Sequence, residues 1–193
     1  PPQATTLVAS FPTLSAAGAA VTEIMATTRP SLLELMDRTT VRAVEAHRPM
    51  GLDAEAAALL LARSDTGGDQ GVAECARMAA ACEAAGATFL AQSAEEAEGE
   101  LLLGARRLAL PALERQGSTL LDDVGVPLAR IAELLAAVER IAEQHGVLIG
   151  TFGHAGDGNM HPTIVFDRND PGAVSRAQLA FDDILRAVDE LGG

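Results

Sequence analysis

A chain of 193 residues has room for one generous domain or two small ones that share a core. Its 48% hydrophobic content excludes intrinsic disorder, and 3% aromatics, with no Trp or Tyr, excludes a surface that stacks nucleic-acid bases. Against 27 acidic side chains stand 14 basic ones, and the net charge of -13 repels nucleic acid and anionic lipid.

In chain order, Thr5–Phe11 (TTLVASF) reads as a strand broken by Pro12, and Ser15–Thr28 has helical composition that ends before Arg29-Pro30. Leu32–Met36 and Ala56–Ala62 are apolar runs of strand length. Asp69–Ala85 follows a helical period, and Gly86 is placed to end it. Thr88–Gln92 reads as a strand. Ser93 with Glu96 then forms a capping box, opening a helix whose dipole favours Glu95, Glu96, Glu98 and Glu100. Leu120–Val126 is another short strand.

The clearest helix runs from Pro127 to His145, where Leu128, Ile131, Leu134, Leu135, Val138, Ile141 and Ala142 make one apolar stripe closed by Gly146. Val147–Phe152 and Thr163–Phe166 read as strands. Asp170 and Pro171 cap and open a last helix, with Ala177, Phe181, Ile184, Leu185 and Val188 on its core face. Strands separated by helices, plus one tight strand pair, predict an α+β fold. It is a ferredoxin-like sandwich, its mainly antiparallel sheet carrying helices on one face, and two β-α-β half-domains suit the length.

No apolar run approaches the ~18 residues of a membrane span. Pro1-Pro2-Gln3 is not a signal peptide, and Leu191-Gly192-Gly193 stops where a helix hands over to the next element, so both ends read as cuts in a longer protein. Cys75 and Cys82 lie seven residues apart on one predicted helix. That is ~10 Å at ~1.5 Å per residue, too far for a disulfide. They read as small buried residues in a reducing compartment, which places the protein in the cytoplasm.

One stretch carries chemistry: Gly150-Thr-Phe-Gly-His-Ala-Gly-Asp-Gly-Asn-Met-His-Pro162. Gly153, Gly156 and Gly158 allow a tight, shaped loop, and His154 and His161 bracket it at two strand ends. If those strands pair, the two imidazoles approach on one face, a usual start for a transition-metal site. The same Gly-Asp-Gly-Asn run is also ordinary hairpin-turn chemistry. The glycine spacing does not match a dinucleotide fingerprint, and the acidic ladder of a calcium loop is absent. His47 and His145, near helix ends, read as solvent-facing.

Residues 153–162 resemble the G-H-x-G-D-G-N-x-H-P signature of the FAD-linked oxidase C-terminal domain, the family of glycolate oxidase flavin subunits, D-lactate dehydrogenases and D-2-hydroxyglutarate dehydrogenase. Asp123-Val124-Gly125-Val126-Pro127 with Arg130 is similar to the family's D-V-x-V-P segment, and Leu103–Pro111 resembles its W-x-x-R stretch, with Leu103 at the Trp position. The resemblance implies that residues 1–193 are the C-terminal cap, covering an FAD held by an N-terminal flavin domain of the same protein. It implies that His154 and His161 hold a divalent ion such as zinc or manganese, together with a glutamate from a later E-H-G motif. Asn159 becomes a hydrogen-bond partner of the substrate, a small D-2-hydroxy acid. Arg106, with Arg107 as the neighbouring alternative, becomes the clamp on its carboxylate.

No E-H-G occurs in these residues; the resemblance puts it after Gly193 and makes the chain inactive alone. The alternative reading is a free-standing α+β module that binds a metal or small effector and regulates a partner.

Overall fold

The computed structural model describes residues 4–193; the side chain of Glu96, and with it half of the expected capping box, lies outside the described residues. The elements are β1 (Thr5–Phe11), α1 (Leu14–Thr27), β2 (Leu32–Asp37), α2 (Arg38–His47), β3 (Ala58–Ser64), α3 (Gly68–Ala84), β4 (Phe89–Ser93) and α4 (Glu96–Arg107). They continue with α5 (Ala109–Glu114), β5 (Ser118–Leu121), β6 (Val124–Gly125), a 3-10 turn at Leu128–Arg130, α6 (Ile131–His145), β7 (Leu148–His154), β8 (Asn159–Phe166) and α7 (Pro171–Glu190).

The strands form one sheet in the order β4-β1-β3-β2-β7-β8-β5, with β6 also on β8 and every pairing antiparallel. The first half runs β1-α1-β2-β3-α3-β4 in spatial order β4-β1-β3-β2, the ferredoxin-like arrangement, with α2 inserted between β2 and β3. The second half repeats the theme: β5 and β6, then α6, β7, β8 and α7, in spatial order β5-β8-β7. The α+β sandwich of two half-domains is therefore present. Its seam is the β2–β7 pairing, where Glu34 lies opposite His154 and Met36 opposite Phe152.

Strand alternation divides the core in two. Leu7, Phe11, Leu35, Leu60, Ile149 and Ile164 point to the face covered by α1, α3, α6 and α7. Val8, Met36, Leu59, Leu61, Phe152 and Val165 point to the opposite face, against Val41 and Val44 of α2, Ala105 of α4 and Leu113 of α5. The larger helical layer is the expected one. Helices cover the second face as well, because β2 and β3 carry apolar side chains on both of theirs and need both covered.

The many alanines serve close packing. A Cβ on Gly18 of α1 would sit 2.8 Å from Ala132 Cβ of α6, so small residues set how near these helices approach. Cys75 and Cys82 are fully buried and unpaired, and burial pushes their thiols up to about 11 and about 12. They are inert core residues at neutral pH.

Four local expectations need correction. Leu185, expected on the core face of the last helix, is 43% exposed, and Ala180 is buried there instead. Ser93 ends β4 and accepts from the Glu95 amide, so the cap of α4 is Glu95 rather than Ser93. Leu120–Val126 is not one strand: Asp122 and Asp123 interrupt it, and β5 and β6 pair with different parts of β8. His145 is not solvent-facing, since its Nε2 lies 2.6 Å from Asp183 Oδ2 on α7, with only 12% of the side chain exposed.

Candidate functional site

The hairpin of β7 and β8 turns through residues 155–158. Gly158 has φ 81°, a left-handed conformation that L side chains rarely adopt, and a Cβ there would run into the Val126 carbonyl. The Gly156 amide donates to the Leu33 carbonyl (3.2 Å), which ties the turn to β2. Asp157 accepts from the Asn159 amide (3.1 Å), ordinary turn chemistry that shapes the loop.

The register does the positioning. Phe152 lies opposite His161, and His154 opposite Asn159 on one side and Glu34 on the other. All five side chains therefore share the sheet face that carries α2, α4 and α5. The two imidazoles stand edge to face with ring centroids 5.4 Å apart. His161 also packs against the Phe152 ring, at 5.5 Å.

From α4, Arg106 reaches over the same patch. Its guanidinium carbon lies 4.6 Å from the centroid of Phe152, and its Nε donates to Glu34 Oε2 at 2.6 Å. Arg107 points elsewhere, to Glu100 at 2.9 Å, and is 67% exposed. The structure thus brings Arg106, His154, Asn159 and His161 together and leaves Arg107 out.

Two carboxylates that sequence reasoning did not assign complete the patch. Glu34, 5% exposed, contacts His154 Nδ1 through Oε1 at 2.5 Å. Asp123 Oδ1 lies 3.4 Å from His161 Nδ1. Burial pushes His161 below the ordinary histidine value; Asp123 and Glu34 oppose this, while Arg106 and His154 reinforce it. Burial thus favours the neutral ring of His161, which has a lone pair to offer.

Asn159 Oδ1 is buried without a hydrogen-bond partner among the described residues, an acceptor waiting for a donor. Glu34 and His154 also line a cleft with Leu33, Gly156 and Asp157. Among the described residues, no three His, Cys, Asp or Glu side chains are placed to hold a metal ion. No described helix is long and apolar enough to cross a membrane.

A fold of two ferredoxin-like halves with this site at their seam has known relatives. The family model for "FAD linked oxidases, C-terminal domain" matches residues 1–193, and the chain belongs to that family. It is 35% identical over 190 residues to the glycolate oxidase subunit GlcD of Bacillus subtilis (strain 168), covering 97% of this chain and 40% of that protein. Against the D-lactate dehydrogenase of Archaeoglobus fulgidus identity is 30% over 160 residues, 81% of this chain and 34% of the relative. The chain thus spans about two fifths or less of these relatives' length.

Among solved structures, p-cresol methylhydroxylase with substrate bound superposes with a TM-score of 0.74 at 14% identity, covering 100% of this chain and 44% of that one. An alkyldihydroxyacetonephosphate synthase gives 0.70 at 13% identity, covering 100% and 40%. These two likenesses speak to the fold alone.

Proposed function

We propose that these residues form the substrate-side cap of a flavin-dependent oxidoreductase acting on a small D-2-hydroxy acid of the glycolate or lactate type. The observation that carries this reading is the convergence of Arg106, His154, His161 and the unpartnered Asn159 Oδ1 on one sheet face. Family membership and the glycolate oxidase and D-lactate dehydrogenase relatives support the substrate class.

With a charge of -13 on these 193 residues, attraction of an anionic substrate to this side of the site must be local. Arg106 supplies it, presenting its terminal nitrogens to the substrate carboxylate while Nε stays on Glu34. Asn159 Oδ1 accepts from the substrate hydroxyl and orients it. FAD, held by the remainder of the protein, would supply the two-electron acceptor for the hydride leaving C2, and the hydroxyl proton would pass to a base from outside these residues, so that a 2-oxo acid results.

His154 and His161 fit the first half of a divalent-metal site: each has one ring nitrogen against a carboxylate and the other left over for a ligand. They would hold zinc or manganese with a third ligand from outside these residues, and the ion would lower the pKa of the substrate hydroxyl. On this reading the 193 residues alone do not turn over substrate. The two buried free thiols suit a reducing cytoplasm.

The test is a screen of D-2-hydroxy acids on the full-length protein with an artificial electron acceptor. Turnover of glycolate or D-lactate is expected. No turnover of any hydroxy acid, alongside micromolar, His161-dependent zinc binding by residues 1–193 alone, would replace this reading with a free-standing binding module.

A further inference from the structure

We propose that Glu34 is the positioning residue of this site, fixing His154 and Arg106 at once so that both turn their remaining nitrogens to one ligand. The proposal rests on the functional reading above. Glu34 interrupts an apolar strand, Leu32-Leu33-Glu34-Leu35-Met36, and is 5% exposed. A carboxylate so buried is costly unless both oxygens are engaged. Both are: Oε1 at 2.5 Å from His154 Nδ1, and Oε2 at 2.6 Å from Arg106 Nε.

The consequences follow from donor chemistry. A carboxylate oxygen accepts, so the hydrogen bond to Glu34 Oε1 puts a His154 ring proton on Nδ1 and leaves Nε2 to face the ligand. Arg106 has its Nε occupied and its guanidinium over Phe152, which leaves the edge bearing the two terminal nitrogens as the fork for a planar anion.

The fold adds a second argument. Glu34 comes from the first half-domain and His154 from the second, as direct register partners at the seam. Arg106 comes from α4, in the segment that connects the halves. One rigid strand position thus sets the geometry of groups 72 and 120 residues away.

Two measurements on the full-length protein test the proposal. Nitrogen NMR of the histidine rings in the wild type is expected to show His154 as the Nδ1–H tautomer. An Nε2–H tautomer would overturn the proposal, and this measurement needs neither substrate nor a variant. For Glu34→Gln, kcat/KM is expected to fall about 10- to 100-fold with FAD content retained. Combined with Arg106→Lys, its effect is expected to be much smaller than the product of the two single effects.

Unchanged kinetics in Glu34→Gln, or fully multiplicative losses in the pair, would also overturn it. If the variant fails to fold, the wild-type tautomer decides the matter. If the wild type oxidises no hydroxy acid, the functional reading fails, while the tautomer still reports on Glu34.

Discussion

The imidazoles of His154 and His161 stand perpendicular, with centroids 5.4 Å apart, although they are not partners in the hairpin register. His161 lies opposite Phe152, and His154 two residues further along β7, so the rings meet on the diagonal of one sheet face. Each has a carboxylate on its Nδ1 side, Glu34 for one and Asp123 for the other. That arrangement is the frame on which the rest of the site depends.

The two neighbouring arginines are expected to separate cleanly. Arg106→Lys removes the planar fork and is expected to raise KM for the hydroxy acid about 10- to 100-fold, an energy of roughly 1.5–3 kcal/mol. Arg107→Lys, which alters only an exposed contact with Glu100, is expected to leave KM within about twofold. Steady-state kinetics of the full-length variants check both.

Gly158 is expected to tolerate no side chain. Its φ of 81° and the Val126 carbonyl beside the missing Cβ make Gly158→Ala strained as well as crowded. A loss of roughly 1–3 kcal/mol in urea unfolding is expected, together with a disturbed site, because the turn sets the register of Asn159 and His161. Gly51→Ala, also at positive φ but with open space around its missing Cβ, is the control for strain without crowding.

Asp37 gives the protein a defined pH response. Its carboxylate caps α2 through the Thr40 amide and also accepts from the Thr151 amide, yet burial raises its pKa from 3.8 to about 6. Between those values the native state holds a proton that the unfolded chain has lost. The contribution of Asp37 to stability therefore falls as pH rises from about 4 to about 6, by on the order of 3 kcal/mol, and levels off above that window. A carboxyl NMR titration of Asp37 with its midpoint near 4 would contradict this.

His145 is expected to matter for stability and not for chemistry. It joins α6 to α7 through Asp183, in the helical layer on the sheet face opposite the one that carries the site, and Asp183 also contacts Arg186. His145→Ala is expected to cost about 1 kcal/mol in urea unfolding and to leave kcat unchanged.

Much of this was legible in the sequence for physical reasons. Long amphipathic stripes and caps mark α6 and α7, and Gly146, at φ 59°, ends α6 where a left-handed residue is required. The glycine-dense segment with its two histidines announced a shaped hairpin, and His154 does end β7, although β8 begins at Asn159, earlier than Thr163, so His161 lies inside its strand.

The helix α2 went unread. Arg38–His47 opens with Arg-Thr-Thr and buries only Thr40, Val41, Ala43 and Val44, too narrow a stripe to stand out, although Asp37 three residues before Thr40 is a cap signal. Glu34 was hidden for a different reason. A lone charge in an apolar strand is visible as an anomaly, but its partners are far away in the chain, and only the β2–β7 seam brings them together.

The most direct measurement compares wild type with His154→Ala and His161→Ala in the full-length protein, assaying D-2-hydroxy-acid turnover and bound FAD in the same samples. Loss of turnover with FAD retained is the expected result. Turnover undiminished in either variant would contradict the account.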